Sequence, residues 1–428
     1  MARQFNATYY YSKKHLNYNV PTREEYELHK LLEKKNRSIV DVSLSVPAND
    51  VIQGNIAKCW RLINSDSYGR GKIACSISGG SDSDVLLDMT RRCDPERKIY
   101  YYFLDTGLEA KATKEHLDYL QLKYQVKIHR FKANAPIPLA VRKGTNKHPE
   151  YAGIPFISKQ VSEFLQRLQK YGFEYDDSND LEMLCEKYCI KADANQACKI
   201  ELGLMKPGKF KKVGNGWYKG CVSALQWWCN AKSESDTSMF NINRNTWLKE
   251  FLIQEGGVPF KVANKCCKLS KKDTSIDVMN QISPKLSLTG VRKSEGGTRA
   301  AAYKSCFDDA SSHPWDEYRP LFWFLNADKK EYEEYCGIKH SKLYQYLTRT
   351  GCSCCPFSQD LDAELNYFKE VEPNMYKAVN FVFGPSYEFT KKYHEFQKMM
   401  KRKEKFEAKL KELENAEFTQ MNIFDYVS

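Results

Sequence analysis

One stretch constrains this chain more than any other: Ile73-Ala74-Cys75-Ser76-Ile77-Ser78-Gly79-Gly80-Ser81-Asp82-Ser83-Asp84, with Val85-Leu86-Leu87-Asp88-Met89 behind it. A short apolar run, a Ser/Gly turn and an apolar-periodic continuation predict a buried strand, a tight turn and the first turns of a helix. Glycines let backbone amides approach a ligand closely, and the start of a helix presents unpaired N–H groups and the positive end of its dipole. A turn of this kind binds anions, phosphate first among them. An ordinary strand-to-helix turn shares the Ser-Gly-Gly core. The nucleotide reading therefore rests on the whole Ser-Gly-Gly-x-Asp-Ser string in its strand–helix setting.

The neighbouring sequence repeats the same rhythm. Lys98 to Leu104 predicts a second strand, which ends at Asp105-Thr106-Gly107. A helix follows over Lys111–Tyr124, and Val126 to Phe131 predicts a third strand. Upstream, Asn49-Asp50 caps a helix with Val51, Ile52, Ile56, Trp60 and Ile63 on roughly one face. Leu286 to Arg292 forms a further strand and turn, continued by Lys293 to Arg299. Strand–helix alternation at this spacing predicts an α/β fold with a doubly wound, mostly parallel sheet. Ligands of such sheets sit at the carboxyl ends of the strands, where Asp105 and the Ser78–Ser83 turn both fall. Arg292 and Arg299 also follow a strand end, where guanidinium forks suit phosphate or sulfate, although surface salt bridges use the same residues.

The 428 residues divide by this reading into an N-terminal extension over 1–45, with a helical pattern from Arg23 to Lys35, and the first part of the α/β domain over 46–156. A helical insertion over 157–247 follows, then the second part of the α/β domain over 248–310, a Cys-x-x-Cys region over 311–385 and a helical tail over 386–428. The net charge of +12 suits nucleic acid, anionic nucleotides or sulfur oxyanions without choosing among them. No apolar run reaches signal-peptide or bilayer-spanning length, so a cytoplasmic protein with no membrane partner is expected. Fifteen cysteines in a reducing compartment then argue for metal or redox chemistry, or for burial, in place of a disulfide framework.

Cys266-Cys267 and Cys352-x-x-Cys355 are the second strong signal. Four soft thiolates suit zinc or an iron–sulfur cluster. Adjacent cysteines point apart, which favours the larger [4Fe–4S] cube over a tightly wrapped zinc ion. Lys265, Lys268, Lys271 and Lys272 favour the thiolate form. Cys354 and Cys306 are spare ligands. In the insertion, Cys185, Cys189 and Cys198 lack a fourth ligand at convincing spacing, and burial explains them better. Lys206 to Lys212 reads equally as a nucleic-acid contact or a solvated loop, and Lys398 to Glu414 as a solvated helix or short coiled coil.

Ser78-Gly79-Gly80-Ser81-Asp82-Ser83 resembles the pyrophosphate loop of N-type ATP pyrophosphatases. With Leu104-Asp105-Thr106-Gly107, Thr289-Gly290-Val291-Arg292-Lys293-Ser294-Glu295 and the cysteine set, in that family's order, the chain resembles the phosphoadenosine phosphosulfate (PAPS) reductase family over roughly residues 50 to 385. The resemblance implies an adenine nucleotide alpha-hydrolase-like α/β/α fold and a [4Fe–4S] cluster on Cys266, Cys267, Cys352 and Cys355. It implies an adenine nucleotide, ATP with Mg²⁺, bound by Ser78, Gly79, Gly80, Ser81, Asp82, Ser83, Asp105, Gly107, Gly290 and Arg292. Asp82 would help hold Mg²⁺, and Arg292 and Arg299 would stabilise charge developing during displacement.

Two departures from sulfonucleotide reductases matter. The loop keeps the intact form of relatives that cleave ATP to AMP and pyrophosphate, and the tail Gln420 to Ser428 carries no cysteine. Glu334-Tyr335-Cys336-Gly337-Ile338-Lys339-His340 resembles the reductase cysteine motif imperfectly and reads as a helix end with Gly337 as its stop. The expected function is adenylation of an acceptor, followed by sulfur transfer to a nucleic acid or small molecule. Sulfonucleotide reduction and a non-catalytic, DNA-associated nucleotide sensor are the alternatives. Gln420 to Phe424 also resembles the peptide that docks on the bacterial sliding clamp, although a tail packed on its own domain fits as well.

Overall fold

The computed structural model describes residues 38–189, 217–235, 237–296, 302–310 and 313–424, with Glu24, Glu27, Leu31, Lys212 and Val213; over 212–218 and 415–424 it describes the backbone alone. Most of the expected helix from Arg23 to Lys35, together with Cys198, the lysines before Lys212, and Arg299, lie outside the described residues. The chain forms two compact units. The first holds Met1–Leu139, Cys267–Cys355 and Gln359–Val379; the second holds Ala140–Cys266, Pro356–Ser358 and Asn380–Ser428.

The first unit is built on a six-stranded sheet. Its strands are β1 (Ile73–Ser76), β2 (Ile99–Asp105), β3 (Ile128–Lys132), β4 (Leu286–Leu288), β5 (Phe307–Asp308) and β6 (Asp316–Tyr318), in the spatial order β3-β2-β1-β4-β6-β5. Every pairing is parallel except β5 with β6. Strand β1 lies between β2 and β4, with Ile73 opposite both Ile99 and Leu286. Buried on both faces, it reads in sequence as a continuous apolar run.

Side-chain alternation assigns the faces. Ile73, Cys75, Tyr101, Phe103, Leu286 and Leu288 enter one core, while Ala74 and Tyr102 enter another. The first core is closed by α1 (Asp50–Ile63), α2 (Ser81–Arg92), α3 (Lys111–Tyr124) and, further along, α5 (Asn326–Cys336), through Ile56, Leu86, Leu117 and Tyr332 among others. The second core is closed by Val278 and Met279 of α4 (Asp273–Ile282) and by Trp315. Each fully buried aliphatic or aromatic side chain contributes about 1.5–3 kcal/mol, so the two cores hold the sheet rigid beneath its loops.

The expected helix ends follow local chemistry. Asn49 caps α1 by accepting the amides of Val51 and Ile52 at 2.9 and 3.3 Å. Gly337 ends α5 in the left-handed conformation that glycine adopts without strain. The fold is thus α/β, a doubly wound and mostly parallel α/β/α sheet. The antiparallel edge pair β5–β6 lacks a strand signal in the sequence because its strands span only two and three residues.

The second unit is mainly helical, with helices over Lys159–Lys170, Leu181–Tyr188, Lys219–Trp228 and Leu248–Gln254. Phe156, Leu165, Trp227, Trp228, Phe251 and Phe389 share its core. Its bounds begin at Ala140 and end at Cys266, so Cys266 and Cys267 fall in different units, and the tail from Asn380 packs with the former insertion. The last helix runs Pro373–Phe424 and includes the backbone of Gln420 to Phe424. No helix among the described residues is long and apolar enough to cross a membrane.

Candidate functional site

The sheet reverses its winding at β1. Strands β2 and β3 lie to one side and β4 to the other, so the loops after β1 and β4 open at the topological switch point. The loop after β1 is the Ser78–Ser83 turn. Gly79 has φ of +73°, a conformation that residues with a Cβ rarely adopt, and Gly80 is the N-cap of α2. The Gly80 amide donates to Ser78 Oγ at 3.3 Å, the Ser81 amide to the Tyr344 hydroxyl at 2.9 Å, and Ser83 Oγ to the Gly80 carbonyl at 2.8 Å. Gly290, after β4, packs so closely that a Cβ there would lie 3.2 Å from the Asp82 carbonyl oxygen. The two loops predicted to bind nucleotide therefore meet.

Charge converges on the same turn. Arg292 Nε lies 2.9 Å from Asp82 Oδ1, and its Nη1 donates to Asn326 Oδ1 at 2.9 Å and Ser294 Oγ at 3.0 Å. Lys329 Nζ lies 2.9 Å from the same Asp82 oxygen, 2.6 Å from Ser81 Oγ and 3.3 Å from Glu333. Two well-covered cations and one carboxylate thus sit at the first turn of a helix whose backbone amides already favour anions. Lys329 was not legible in the sequence. It belongs to the charged run Asp328-Lys329-Lys330, which reads as a solvated helix face.

Beneath the turn lies a second polar network. Asp84, on the inner face of α2, is completely buried, with His116 Nε2 at 3.0 Å and His340 Nδ1 at 2.8 Å. His340 Nε2 lies 3.1 Å from Glu333, which also pairs with Lys329. Burial pushes the Asp84 carboxyl upward, but the charges and hydrogen bonds of His116 and His340 outweigh it and hold the group below its ordinary range. Burial lowers the His340 imidazole, yet its bonds and charge pairing with Asp84 and Glu333 win, raising it to about 9. One turn further along, Asp88 accepts from Arg92 at 2.6 Å and from the Tyr332 hydroxyl at 2.8 Å. These ties fix α2, and with it the amides at its start.

Asp105 ends β2 as expected. Its Oδ1 accepts the Gly107 amide at 2.9 Å, and its Oδ2 lies 3.1 Å from Lys114 Nζ. Burial raises its carboxyl, but hydrogen bonds from Glu109, Gly107 and Lys114 outweigh burial and lower it. Among the described residues, no hydrogen bond or ion pair joins Asp105 to the Ser78–Ser83 turn. Gly107 has φ of +91° and folds its loop against Pro136.

The thiols occupy a different place. Cys352 Sγ lies 3.5 Å from Thr106 Oγ1, and Cys352 bridges to Glu109 through the backbone. Glu109 accepts the Thr106 amide at 2.9 Å and hydroxyl at 2.6 Å, and burial pushes its carboxyl up to about 7. Burial also raises the Cys352 thiol, opposed by the charge of Lys271, while Cys352 raises the Lys271 ammonium in turn. Cys267 faces the same pair and begins the helical stretch whose π turn, Lys268–Lys272, runs into α4. Among the described residues, no group of three or more His, Cys, Asp and Glu side chains is gathered to hold a metal ion. The donor types, four thiols, suit a soft metal or cluster.

The spare thiols lie elsewhere. Cys306 accepts from Lys58 Nζ at 3.0 Å, and Cys354 is buried under Glu364, to which its amide donates at 2.7 Å. Cys185 pairs with Cys189, and Cys189 with Cys221, which supplies the neighbour that the sequence spacing did not reveal. Cys336 is packed beside Tyr332 and Asp88, and burial, reinforced by the Asp88 charge, pushes its thiol up to about 12.

Comparison with known proteins agrees with the position of the turn. Residues 72–173 match the family described as phosphoadenosine phosphosulfate reductase domain, roughly a quarter of the chain and the part that contains β1 to β3. The crystal structure of phosphoadenylyl-sulfate (PAPS) reductase from Candida auris, in a phosphate complex, is among the similar solved structures. It is 11% identical, covers 74% of this chain and 90% of that one, and superposes with a TM-score of 0.32, too loosely to bear on the site. Among curated proteins, none matches this chain.

Proposed function

We propose that this protein, a member of the PAPS reductase family by the domain in residues 72–173, binds ATP with Mg²⁺ at the Ser78–Ser83 turn and adenylates an acceptor. The convergence of Arg292 and Lys329 on Asp82, at the positive end of α2, carries this reading. In the reaction an acceptor nucleophile attacks the α-phosphorus, the bond from that phosphorus to the bridging oxygen breaks, and acceptor–AMP and pyrophosphate result. Amides and hydroxyls of Ser78 to Ser83 would hold the leaving pyrophosphate, exchanging the Tyr344 and Ser78 hydroxyls for phosphate oxygens. Arg292 and Lys329 would neutralise its growing charge. Mg²⁺ keeps most of its water and takes phosphate oxygens with one or two carboxylates, so Asp82 suffices as the protein ligand. Arg299 joins the proposal from its sequence position alone.

A sulfur donor displacing AMP from the activated acceptor would complete a thiolation, with a nucleic acid or a small molecule as acceptor. A [4Fe–4S] cluster on Cys266, Cys267, Cys352 and Cys355 would supply or position sulfur when bound. Anaerobic purification with iron and sulfide analysis tests that part separately. The sulfonucleotide-reductase alternative needs a reactive thiolate, and the half-buried Cys336, its thiol pushed up by desolvation, is poorly suited to it. The adenylation reading is tested by pyrophosphate release from ATP with candidate acceptors. Undiminished turnover in a Ser78→Ala, Asp82→Ala double variant would sink it. A sulfite signal from PAPS that disappears in Cys336→Ser would replace it with reduction.

A further inference from the structure

Lys329 reaches the phosphate turn on a flexible four-carbon stem, and its ammonium has three protons to place. Three oxygens stand round it: Ser81 Oγ at 2.6 Å, Asp82 Oδ1 at 2.9 Å and Glu333 Oε1 at 3.3 Å. The first two belong to the turn, and on the reading above both take new partners when nucleotide arrives, Asp82 turning to Mg²⁺ and Ser81 to phosphate. Glu333 belongs to α5 and has no such exchange to make. We propose that Glu333 is a positioning residue, which aims the Lys329 ammonium at the pyrophosphate oxygens, and that His340 anchors it by tying it to the buried Asp84. The action of Lys329 on a leaving group rests on the adenylation reading; its aim at an anion on the turn does not.

A helix-surface ion pair is the ordinary alternative, and α5 contains one for comparison. Lys330 and Glu334 have the same spacing, lie 3.7 Å apart and have side chains 75% and 69% exposed, as a solvated pair does. The side chains of Lys329 and Glu333 are only 14% and 20% exposed. Helix stability alone accounts for the first pair but not for the burial of the second. The second pair, unlike the first, ends on the turn.

The anchor lies behind Glu333. His340 Nε2 is 3.1 Å from the same Glu333 oxygen that faces Lys329, and His340 Nδ1 is 2.8 Å from Asp84 Oδ2. With a carboxylate at each ring nitrogen the imidazole keeps both protons. The Tyr344 ring, whose hydroxyl accepts the Ser81 amide, packs against the imidazole with centroids 5.7 Å apart. Asp84 is fully buried and has His116 of α3 on its other side at 3.0 Å. From Asp84 to Asp82 the charges alternate: carboxylate, imidazolium, carboxylate, ammonium, carboxylate. Each of the three inner groups therefore lies between two opposite charges. One end of the chain is fixed in the core and the other meets the turn, and all its members belong to the first unit. A charge-stabilising group acts most strongly when its direction is set before the reaction.

The test is a double-substitution cycle in the full-length protein with two readouts. One is affinity for inorganic pyrophosphate with Mg²⁺, which needs no acceptor; the other is pyrophosphate release from ATP with single-stranded oligonucleotides offered as acceptor. Glu333→Ala and His340→Ala should each weaken pyrophosphate binding and lower kcat about tenfold, the cost of a misdirected group, with KM for ATP within about twofold of the wild type. Glu333→Gln, which keeps an acceptor oxygen, should recover part of the loss. In a Lys329→Ala background Glu333→Ala should no longer weaken either readout, since only its own repulsion of the anion is then removed, and the His340→Ala loss should fall below about twofold. Glu334→Ala, on the exposed pair, should leave both readouts unchanged. Weakening of equal size with and without Lys329, in variants folded by circular dichroism, would overturn the inference and leave Glu333 and His340 as supports of the fold. Should His340→Ala fail to fold, the two Glu333 variants decide the cycle. A wild type that binds pyrophosphate but neither binds ATP nor releases pyrophosphate from it sinks the adenylation reading, and the cycle is then decided on pyrophosphate affinity alone. A wild type that binds neither overturns both.

Discussion

Two regions of the first unit invite comparison, the phosphate turn at the switch point and the thiol region around Cys352. The turn is contiguous in sequence, and its polar groups are anchored before any ligand arrives, by Tyr344, Arg292, Lys329 and the network under α2. The thiol region is drawn from three distant segments, at Thr106 to Glu109, Cys267 to Lys271 and Cys352. Its ties include the backbone bridge of Glu109 to Cys352, the Ser353 amide donating to the Leu108 carbonyl at 2.8 Å, and the pairing of Lys271 with Cys352. The contrast teaches that α2 carries its own support. Its first turn offers free-energy gain to an anion because the helix behind it cannot relax. The thiol region is held instead by ties between segments far apart in sequence.

The sharpest way to break this comparison is to remove the support without touching the turn. Asp84→Ala leaves His116 and His340 facing a cavity in place of a fully buried carboxylate. Loss of one partner from a buried charge network costs about 3–5 kcal/mol. Urea unfolding of this variant should show a loss of that order, against less than about 1 kcal/mol for Cys352→Ser if the thiol region is weakly tied. Equal losses at the two positions would erase the distinction.

Next in size is the effect on chemistry. Arg292→Ala and Lys329→Ala each remove one cation from the leaving-group side of the turn. Each should reduce pyrophosphate release by roughly 10²–10³-fold, the usual cost of one preorganised charge-stabilising donor. Asp82 keeps one cation in either variant, so stability should fall far less than in Asp84→Ala. An activity loss matched by an equal stability loss would show that these residues hold the fold and do not act on phosphate.

The sequence made one of these regions legible and left the other partly hidden. Ser78 to Ser83, Asp105, Gly290 and the strands and helices around them were readable because each lies on a periodic element or in a turn whose glycines have a steric reason. The helix Lys111–Tyr124 and the Asn49 cap fell where the pattern put them. Lys329, His340 and Tyr344 were not readable, because their partners are set by how α5 and the following segment fold back over α2. A lysine in a charged helix carries no sign of whether it faces water or a phosphate loop. The cysteine set was visible as spacing, but spacing says nothing of burial or of which unit each thiol joins.

The pH dependence sharpens the comparison from within the turn's support. The folded His340 pKa of about 9 lies above its ordinary 6.5. Its contribution is therefore fully present below about pH 6.5 and is lost as pH rises through about 9. The shift corresponds to at most about 3 kcal/mol, reduced by the partial exposure of the ring (23%). Asp84, lowered by the same contacts, adds the opposite limb: its contribution is present above the ordinary carboxylate range and is lost as pH falls through its lowered pKa. The two describe one interaction and are not summed. Stability measured from pH 6 to 10 should decline on the alkaline side in the wild type and flatten in His340→Ala. An unchanged slope in that variant would remove His340 from the support.

The smallest effect concerns a place where the two regions approach each other. A Cβ added at Gly80 would lie 2.8 Å from Thr350 Oγ1, and Thr350 stands two residues before Cys352. The obstacle is the end of a side chain and not backbone, so Gly80→Ala should be tolerated with a shift of the Thr350 segment, at a cost of about 1 kcal/mol. Thr350→Ala removes the obstructing hydroxyl and alone should cost little, since no hydrogen bond of that hydroxyl is found among the described residues. If the turn and the thiol segment are mechanically coupled, the double variant should recover part of the Gly80→Ala loss, with an interaction energy of about 0.5 kcal/mol or more by urea unfolding. ATP affinity should recover in parallel, because the Gly80 amide would return to its place at the N-terminus of α2. Strict additivity in both measurements would mean that the turn binds its anion without reference to the thiols, and the two regions would then have to be joined by the substrate alone.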